Sequence, residues 1–303
     1  MKKRQLGNSD LYVSELGLGC MSLGTDEKKA QEIIGAALDT GINYFDTADL
    51  YDFGENERLV GQALKNVREN VIIATKAGNR WTDTKDSWSW DPSKKYIKDA
   101  VKASLQRLQT DYIDLYQLHG GTINDPIEET IEAFEELKKE GLIRYYGISS
   151  IRPNVIREYI KKSSIASVMM QYSILDRRPE EEALPALHQN GISVVSRGSV
   201  AKGLLSDRFP EKLSEKGFLD YSHEELEELL PLLKQSLASS RSLEEVGLQY
   251  NLANPAVASV VTGASSVEQV RANAQAVLSP PLTREEVDLI KKLTKANLYS
   301  DHR

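Results

Sequence analysis

Asp39-Thr40-Gly41-Ile42-Asn43-Tyr44-Phe45-Asp46-Thr47-Ala48-Asp49-Leu50-Tyr51 holds a helix end, a glycine stop, a short apolar strand and a turn that presents a tyrosine. Upstream, over 26–40, Ile33, Ile34, Ala37 and Leu38 recur at helical spacing. Gly41 ends that run, because a left-handed glycine just past a helix end turns the chain back toward a sheet. The same junction returns at Lys139-Glu140-Gly141-Leu142 and at Gln189-Asn190-Gly191-Ile192. Amphipathic runs joined by glycine to apolar strands point to repeated βα units rather than to an all-α or all-β chain.

Working outward, the apolar strands fall at 16–19, 43–45, 71–75, 112–117, 143–148, 166–170, 193–196 and 258–261. Helices are expected at 55–66, 92–108, 126–140, 153–161, 180–189, 243–252 and 267–276. Such alternation implies a parallel sheet covered on both faces. Eight units in about 250 residues are the size of a (β/α)8 TIM barrel. An N-terminal β-hairpin over 3–13 precedes it, turning at Leu6-Gly7-Asn8-Ser9-Asp10-Leu11. A long insertion after strand 7, at 197–241, carries its own helix, capped by Ser222 with Glu225 three residues on. A C-terminal extra helix over 285–296 follows Pro280-Pro281, and 79–91 reads as a long polar loop holding Trp81, Trp88 and Trp90. No linker interrupts the pattern, so 1–303 is read as a single domain.

The net charge of -7 and pI near 5.4 argue against a general nucleic-acid-binding surface. Cys20 is the only cysteine, which leaves no intramolecular disulfide and no thiolate metal cluster. That suits a reducing, cytoplasmic setting. No stretch approaches the roughly 20 apolar residues of a membrane span. The four histidines are scattered, so no metal site is expected.

In barrels of this kind, functional side chains sit at the C-terminal ends of strands. Reading those positions gives Asp46 after the second strand, Lys76 after the third and His119 after the fourth, with Tyr51 one turn past Asp46. A phenol ordinarily ionises at roughly pH 10, so a tyrosine that donates a proton near neutrality needs a nearby cation. Lys76 is the candidate cation, and Asp46 can hold it. Taken singly, Asp46 is an ordinary helix cap, Lys76 a solvated strand end and His119 a satisfied polar group. Chance rarely places all four on one rim.

Asp46-Thr47-Ala48-x-x-Tyr51, Ala74-Thr75-Lys76 and Tyr112-Ile113-Asp114-Leu115-Tyr116-Gln117-Leu118-His119 resemble the signature segments of the aldo-keto reductases. So do Gly54-x-x-Glu57-x-x-x-Gly61 and Gly147-Ile148-Ser149, and the resemblance runs from the hairpin to about Ala274. It is closest to the bacterial branch that holds the general-stress and inositol-operon reductases of bacilli. The resemblance implies a barrel that binds NADP(H) without a Rossmann domain and reduces a small-molecule aldehyde or ketone. By analogy Tyr51 is the proton donor, Lys76 favours its phenolate, Asp46 pairs with Lys76, and His119 orients the carbonyl.

The resemblance also implies a cofactor site, of which Asp46 is part. Gly19, Cys20 and Met21 pass under the nicotinamide, while Ser149, Ser150 and Gln171 hold its carboxamide. Ser196, Arg197, Gly198, Ser199, Val200 and Lys202 belong to the cofactor site as well, and Gly203 and Leu204 lie in the segment that folds over the pyrophosphate. Gly263, Ser265, Gln269 and Asn273 surround the adenosine, where a helix N-terminus can receive phosphate.

Two departures bear on that site. Ser196-Arg197-Gly198-Ser199 replaces a common Tyr-Ser-Pro, so Arg197 is expected to stack on the nicotinamide in place of an aromatic ring. Its alternative is to turn to solvent or to the pyrophosphate. Ala264-Ser265-Ser266 lacks the Lys or Arg of many relatives, which leaves hydroxyls and backbone N–H groups to bind a 2′-phosphate. Gln109, where relatives often end a helix on glycine, is read as structural. Trp81 and Trp88 are candidates for the substrate-pocket wall, or else they pin the loop to the barrel.

Two other functions fit parts of the pattern. An NADP(H)-binding sensor or auxiliary subunit, as among channel-associated relatives, would keep all four residues and turn over negligibly. A barrel lyase or aldolase would form a Schiff base on Lys76, but a lysine held charged by a carboxylate is a poor nucleophile. A Rossmann dehydrogenase fails on Gly17-x-Gly19-x-x-Ser22, which lacks the third glycine. The physiological substrate and the oligomeric state are not legible.

Overall fold

A computed structural model gives the architecture and describes residues 1–237 and 241–303. The strands in chain order are β1 (Lys3–Gln5), β2 (Tyr12–Ser14), β3 (Leu16–Gly19), β4 (Tyr44–Asp46), β5 (Ile72–Ala77), β6 (Asn79–Trp81), β7 (Trp88–Trp90), β8 (Ile113–Leu118), β9 (Ile143–Ser149), β10 (Ser167–Gln171), β11 (Ser193–Arg197) and β12 (Val257–Gly263). The helices are α1 (Glu27–Asp39), α2 (Glu55–Leu64), α3 (Lys94–Leu108), α4 (Ile127–Lys139), α5 (Pro153–Lys162), α6 (Ala183–Gln189), α7 (His223–Leu237), α8 (Leu243–Leu252), α9 (Val267–Leu278) and α10 (Arg284–Leu293). Strands β3, β4, β5, β8, β9, β10, β11 and β12 close a parallel barrel, with β9 pairing β10 and β12 pairing β3. This is the expected (β/α)8 TIM barrel.

The glycine junctions form as the sequence predicts: Gly41, Gly141 and Gly191 have φ of 84°, 77° and 66°. Each lies where a helix hands over to a strand, a backbone shape that L side chains adopt only with strain.

Strand alternation divides two apolar layers. Along β5, Ile72 and Ala74 point into the barrel with Tyr44 and Leu115, whereas Ile73 and Ala77 pack outward under the helices. Leu6, Leu11 and Val13 from the antiparallel β1–β2 hairpin join the inner cluster and close the barrel floor. The inner layer rises to polar residues at the top, where Asp46 and Lys76 continue the inward positions of β4 and β5.

Three expectations change. The 79–91 stretch is not a loop throughout, because β6 and β7 pair antiparallel and set Trp81 opposite Trp88. The last helix stops at Leu293, since Thr294 is already extended. A 3-10 turn at Arg178–Glu180 precedes α6, which therefore starts later than expected. The insertion helix α7 does begin after Ser222, whose Oγ accepts from the Glu225 N–H. Positions 238–240 of the insertion lie outside the described residues. Gln109 takes the left-handed position after α3, with φ of 53°.

Candidate active site

Three adjacent strands deliver the site. Asp46 closes β4, Lys76 lies near the end of β5 opposite Gln117 of β8, and His119 follows β8, its N–H bonded to Ala77 O at 2.8 Å. The chain beyond β4 stays paired with β5, as the N–H groups of Thr47 and Asp49 donate to Ala74 O and Lys76 O at 2.9 and 3.0 Å. Tyr51 then sits in a 3-10 turn whose next two residues, Asp52 and Phe53, have positive φ. Thr47 donates to Asn56 Oδ1 at 2.7 Å, and Asn56 donates to Cys20 O at 2.8 Å, which ties the turn to the loop after β3.

Outside the barrel the same segment is braced by α2. The buried Glu57 accepts from Thr75 Oγ1 at 2.5 Å and pairs with Arg107 at 2.6 Å. Gly61 lets the main chain of α3 approach, since a Cβ there would stand 2.3 Å from Leu108 O. The spacing Gly54-x-x-Glu57-x-x-x-Gly61 is thus a brace for the strand that carries Lys76.

The Lys76 ammonium lies 2.6 Å from Asp46 Oδ1, 2.7 Å from Thr47 O and 3.4 Å from the Tyr51 hydroxyl. Lys76 is 1 % exposed and Asp46 3 %. Burial works against the charged lysine, yet Asp46 and Tyr51 outweigh it and raise its pKa above the ordinary value. Burial also pushes the Asp46 carboxyl upward, opposed by Lys76 and by Gln117, whose Nε2 approaches Asp46 Oδ2 at 3.5 Å. At this separation the pair is an ion pair. Asp46 is therefore the partner of Lys76 and not a cap, since the residue before α2 is Gly54.

The His119 ring meets Tyr51 edge-on, with ring centroids 5.8 Å apart. Burial, with Lys76 and Arg197 nearby, lowers its pKa to about 3, so the imidazole is neutral at physiological pH. Its Nδ1 is buried without a hydrogen-bond partner. A second carboxyl in the segment behaves differently. Burial and the neighbouring Glu57 raise Asp49 to about 8, and only its Oδ2 has a partner, the Tyr96 hydroxyl at 3.1 Å.

Tyr51 and His119 open into a cleft of about 730 Å³. Trp88, 56 % exposed, lines it as expected. Trp81 does not: it faces a separate hollow beside Asp49, edge-on to Phe53 and under the Arg107 guanidinium. Trp90 takes the wall position that the sequence reading missed. Its Nε1 donates to Asp125 at 3.0 Å, and its ring fills the space over Gly78 and Gly120. Arg152 and His302 also line the cleft, and neither was singled out from sequence.

The nicotinamide cofactor that the fold implies needs a flat floor and donors beside Tyr51. A hollow of about 230 Å³ adjoins the cleft and shares Met21, Tyr51, Met169 and Arg197 with it. Gly19, Gly198 and Gly263 give it a floor without side chains, and Asp46 lies at its base. Ser149 and Ser150 stand on the cleft side. Ser196 and Ser199 are buried with hydroxyls that have no partner. These residues fit such a group. Cys20 is fully buried and its thiol is pushed up by that burial, so it is packing rather than a nucleophile.

Other expected cofactor residues are farther out. Arg197 is exposed and its Nη1 donates to Gln171 Oε1 at 3.3 Å, between the two hollows. Gln171 also donates to Asp176 at 2.8 Å. Val200 and Gly203 are partly covered, Lys202 is exposed and Leu204 is buried. The Ser265 N–H donates to Gln269 Oε1 at 2.7 Å at the start of α9, and Asn273 lies one turn farther along that helix.

A parallel barrel with a buried Asp–Lys pair under a tyrosine, beside a neutral histidine, is the framework of a carbonyl oxidoreductase. The chain belongs to the Aldo/keto reductase family, whose model matches residues 15–295. It is 60 % identical over 307 residues to the uncharacterized oxidoreductase YqkF of Bacillus subtilis, covering 100 % of each chain. It is 32 % identical to the NADH-specific methylglyoxal reductase of Escherichia coli, covering 98 % of this chain and 99 % of that one. Among solved structures it matches the holo form of aldo-keto reductase AKR11C1 from Bacillus halodurans. There the TM-score is 0.95 and the identity 64 %, over 100 % of this chain and 99 % of that one. Among the described residues no helix is long and apolar enough to cross a membrane, and no cluster of His, Cys, Asp and Glu could hold a metal.

Proposed function

We propose that this protein reduces aldehydes or ketones to alcohols with NADP(H), and that Tyr51 is the proton donor. The observation that carries the reading is the Lys76 ammonium, held 2.6 Å from Asp46 and 3.4 Å from the Tyr51 hydroxyl. The cofactor, when bound, supplies a hydride to the carbonyl carbon. Tyr51 gives its proton to the carbonyl oxygen, and the buried positive charge of Lys76 favours the phenolate left behind. Asp46 keeps that charge in place. His119, neutral, presents an N–H to the carbonyl oxygen and fixes its direction without competing as an acid. Ser149, Ser150 and Gln171 would hold the carboxamide.

The preference for NADP(H) over NAD(H) rests on Ser265, Ser266 and the N-terminus of α9, which can receive a 2′-phosphate. The E. coli relative named above is NADH-specific by name, so this part of the reading has its own test. The lone, buried Cys20 fits a reducing cytoplasm.

Turnover with NADPH and a panel of simple aldehydes tests the reaction, with Tyr51→Phe expected to lose about 10²–10⁴-fold in kcat. NADPH binding without turnover would replace the reductase by a cofactor-binding sensor. Side-by-side fluorescence titration with NADPH and NADH tests the cofactor, and tighter binding of NADH would remove the NADP assignment alone.

A further inference from the structure

The cleft beside Tyr51 and His119 has an uneven charge. The chain carries a net charge of -7, yet no Asp or Glu is among the residues that line this cleft. Two guanidinium groups do line it, Arg152 and Arg197. Among the described residues, neither has a carboxylate within ion-pair distance, although most arginines of the chain do. Asp125, behind Trp90, is already engaged by Trp90 Nε1 and by the N–H and hydroxyl of Thr122.

Arg197 stands at the cofactor hollow, but Arg152 does not line that hollow and faces only the cleft. Its backbone N–H is fixed by Ser150 Oγ at 3.2 Å and one guanidinium nitrogen by Gly121 O. The bond to Gly121 anchors the side chain, and among the described residues the other guanidinium N–H groups have no hydrogen-bond partner. The first turn of α5 is not the attraction, since the Asn154 N–H is used by His302 O at 2.9 Å. A planar guanidinium with free donors, anchored at one corner and facing a cleft without carboxylates, is matched to a carboxylate.

We propose that Arg152 is a subsite for the anionic end of the substrate, so that the preferred substrates are carbonyl compounds that also carry a carboxylate. This rests on the carbonyl-reductase reading and adds the substrate class to it. The acid lies against Arg152, the body of the molecule against Trp88 and Trp90, and the carbonyl reaches Tyr51 and His119.

The test compares acids with their methyl esters, which keep the aldehyde and remove the charge. Succinic semialdehyde and 4-carboxybenzaldehyde are each assayed beside the ester, with betaine aldehyde as a cationic probe. On the wild type, kcat/KM for at least one acid should exceed that of its ester by about tenfold or more, the value of a charge-assisted hydrogen bond. Betaine aldehyde should be the poorest substrate, and added salt should shrink the acid's advantage. Arg152→Gln should collapse the acid-to-ester ratio through KM for the acid, and Arg152→Lys should restore part of it. Esters handled as well as acids by the wild type, or a ratio that survives in Arg152→Gln, would overturn the subsite while leaving the reductase in place. Turnover of no probe at all would overturn the reductase reading, and the subsite with it.

Discussion

Asp46 and Lys76 meet at 2.6 Å with neither side chain more than 5 % exposed, so each supplies the opposite charge that offsets the other's loss of water. Removing one partner strands the other. Lys76→Met is expected to destabilise the fold by about 3–5 kcal/mol, as for other broken buried pairs. Adding Asp46→Asn should recover part of that loss while activity stays low. Urea unfolding of the two variants at pH 7 decides it, and a Lys76→Met protein as stable as the wild type would refute the pairing.

His119 gives stability a defined acid dependence. Its folded pKa, about 3, lies below the ordinary 6.5, so the unfolded chain binds its proton first. The contribution is complete above pH 6.5 and is lost as pH falls toward 3. His119→Phe should unfold with a shallower dependence over that window. Imidazole nitrogen shifts measured by NMR should still report a neutral ring at pH 5, and a protonated ring there would count against the assignment.

Asp49 runs the other way. Its folded pKa, about 8, is above the ordinary 3.8, so the native state holds the proton more tightly. Its contribution is complete below pH 3.8 and fades as pH rises through 8. Asp49→Asn, which keeps the shape and removes the titration, should gain on the wild type between pH 5 and 9. Chemical unfolding across that range is the measurement, and parallel curves for the two proteins would refute the shift.

The tryptophans can be separated by kinetics. Trp90 and Trp88 line the cleft and Trp81 lies outside it, so Trp90→Ala should raise KM for an aromatic aldehyde by about tenfold, the scale of a lost aromatic contact. Trp81→Ala should leave a KM within about threefold of the wild type. Equal effects would mean that Trp81 reaches the cleft after all.

Gly61 of α2 packs against the main chain at the end of α3. A Cβ at 2.3 Å from Leu108 O meets main chain that cannot rotate away. Gly61→Ala should cost about 1–3 kcal/mol by overpacking, read as a lower urea midpoint.

The four residues proposed for the chemistry were legible because the barrel's period is legible. Lys76 interrupts an apolar strand at an inward position, and Asp46 and His119 end their strands in the same sense, so strand order and alternation bring them together. The walls obey no such period. Trp90 lies on a three-residue strand whose pairing is set across the Thr82–Ser87 turn, with no two-residue hairpin signal to announce it. Arg152 and His302 meet only because residues 297–303 dock back, through Asn297 on the Arg177 N–H and Arg303 on Glu181. That docking is a tertiary event between segments more than a hundred residues apart.

The backbone pairing of Thr47 and Asp49 with β5 has a consequence for how this scaffold can change over time. Because the segment leading to Tyr51 is measured out along the strand that bears Lys76, the phenol and the ammonium share one main-chain ruler. Mutations that redraw the 79–91 hairpin or the docked tail, which bring Trp88, Trp90 and His302 to the cleft, alter its walls without touching that spacing. New substrates can therefore be acquired at the walls while the Asp46–Lys76–Tyr51 geometry at the floor is inherited unchanged.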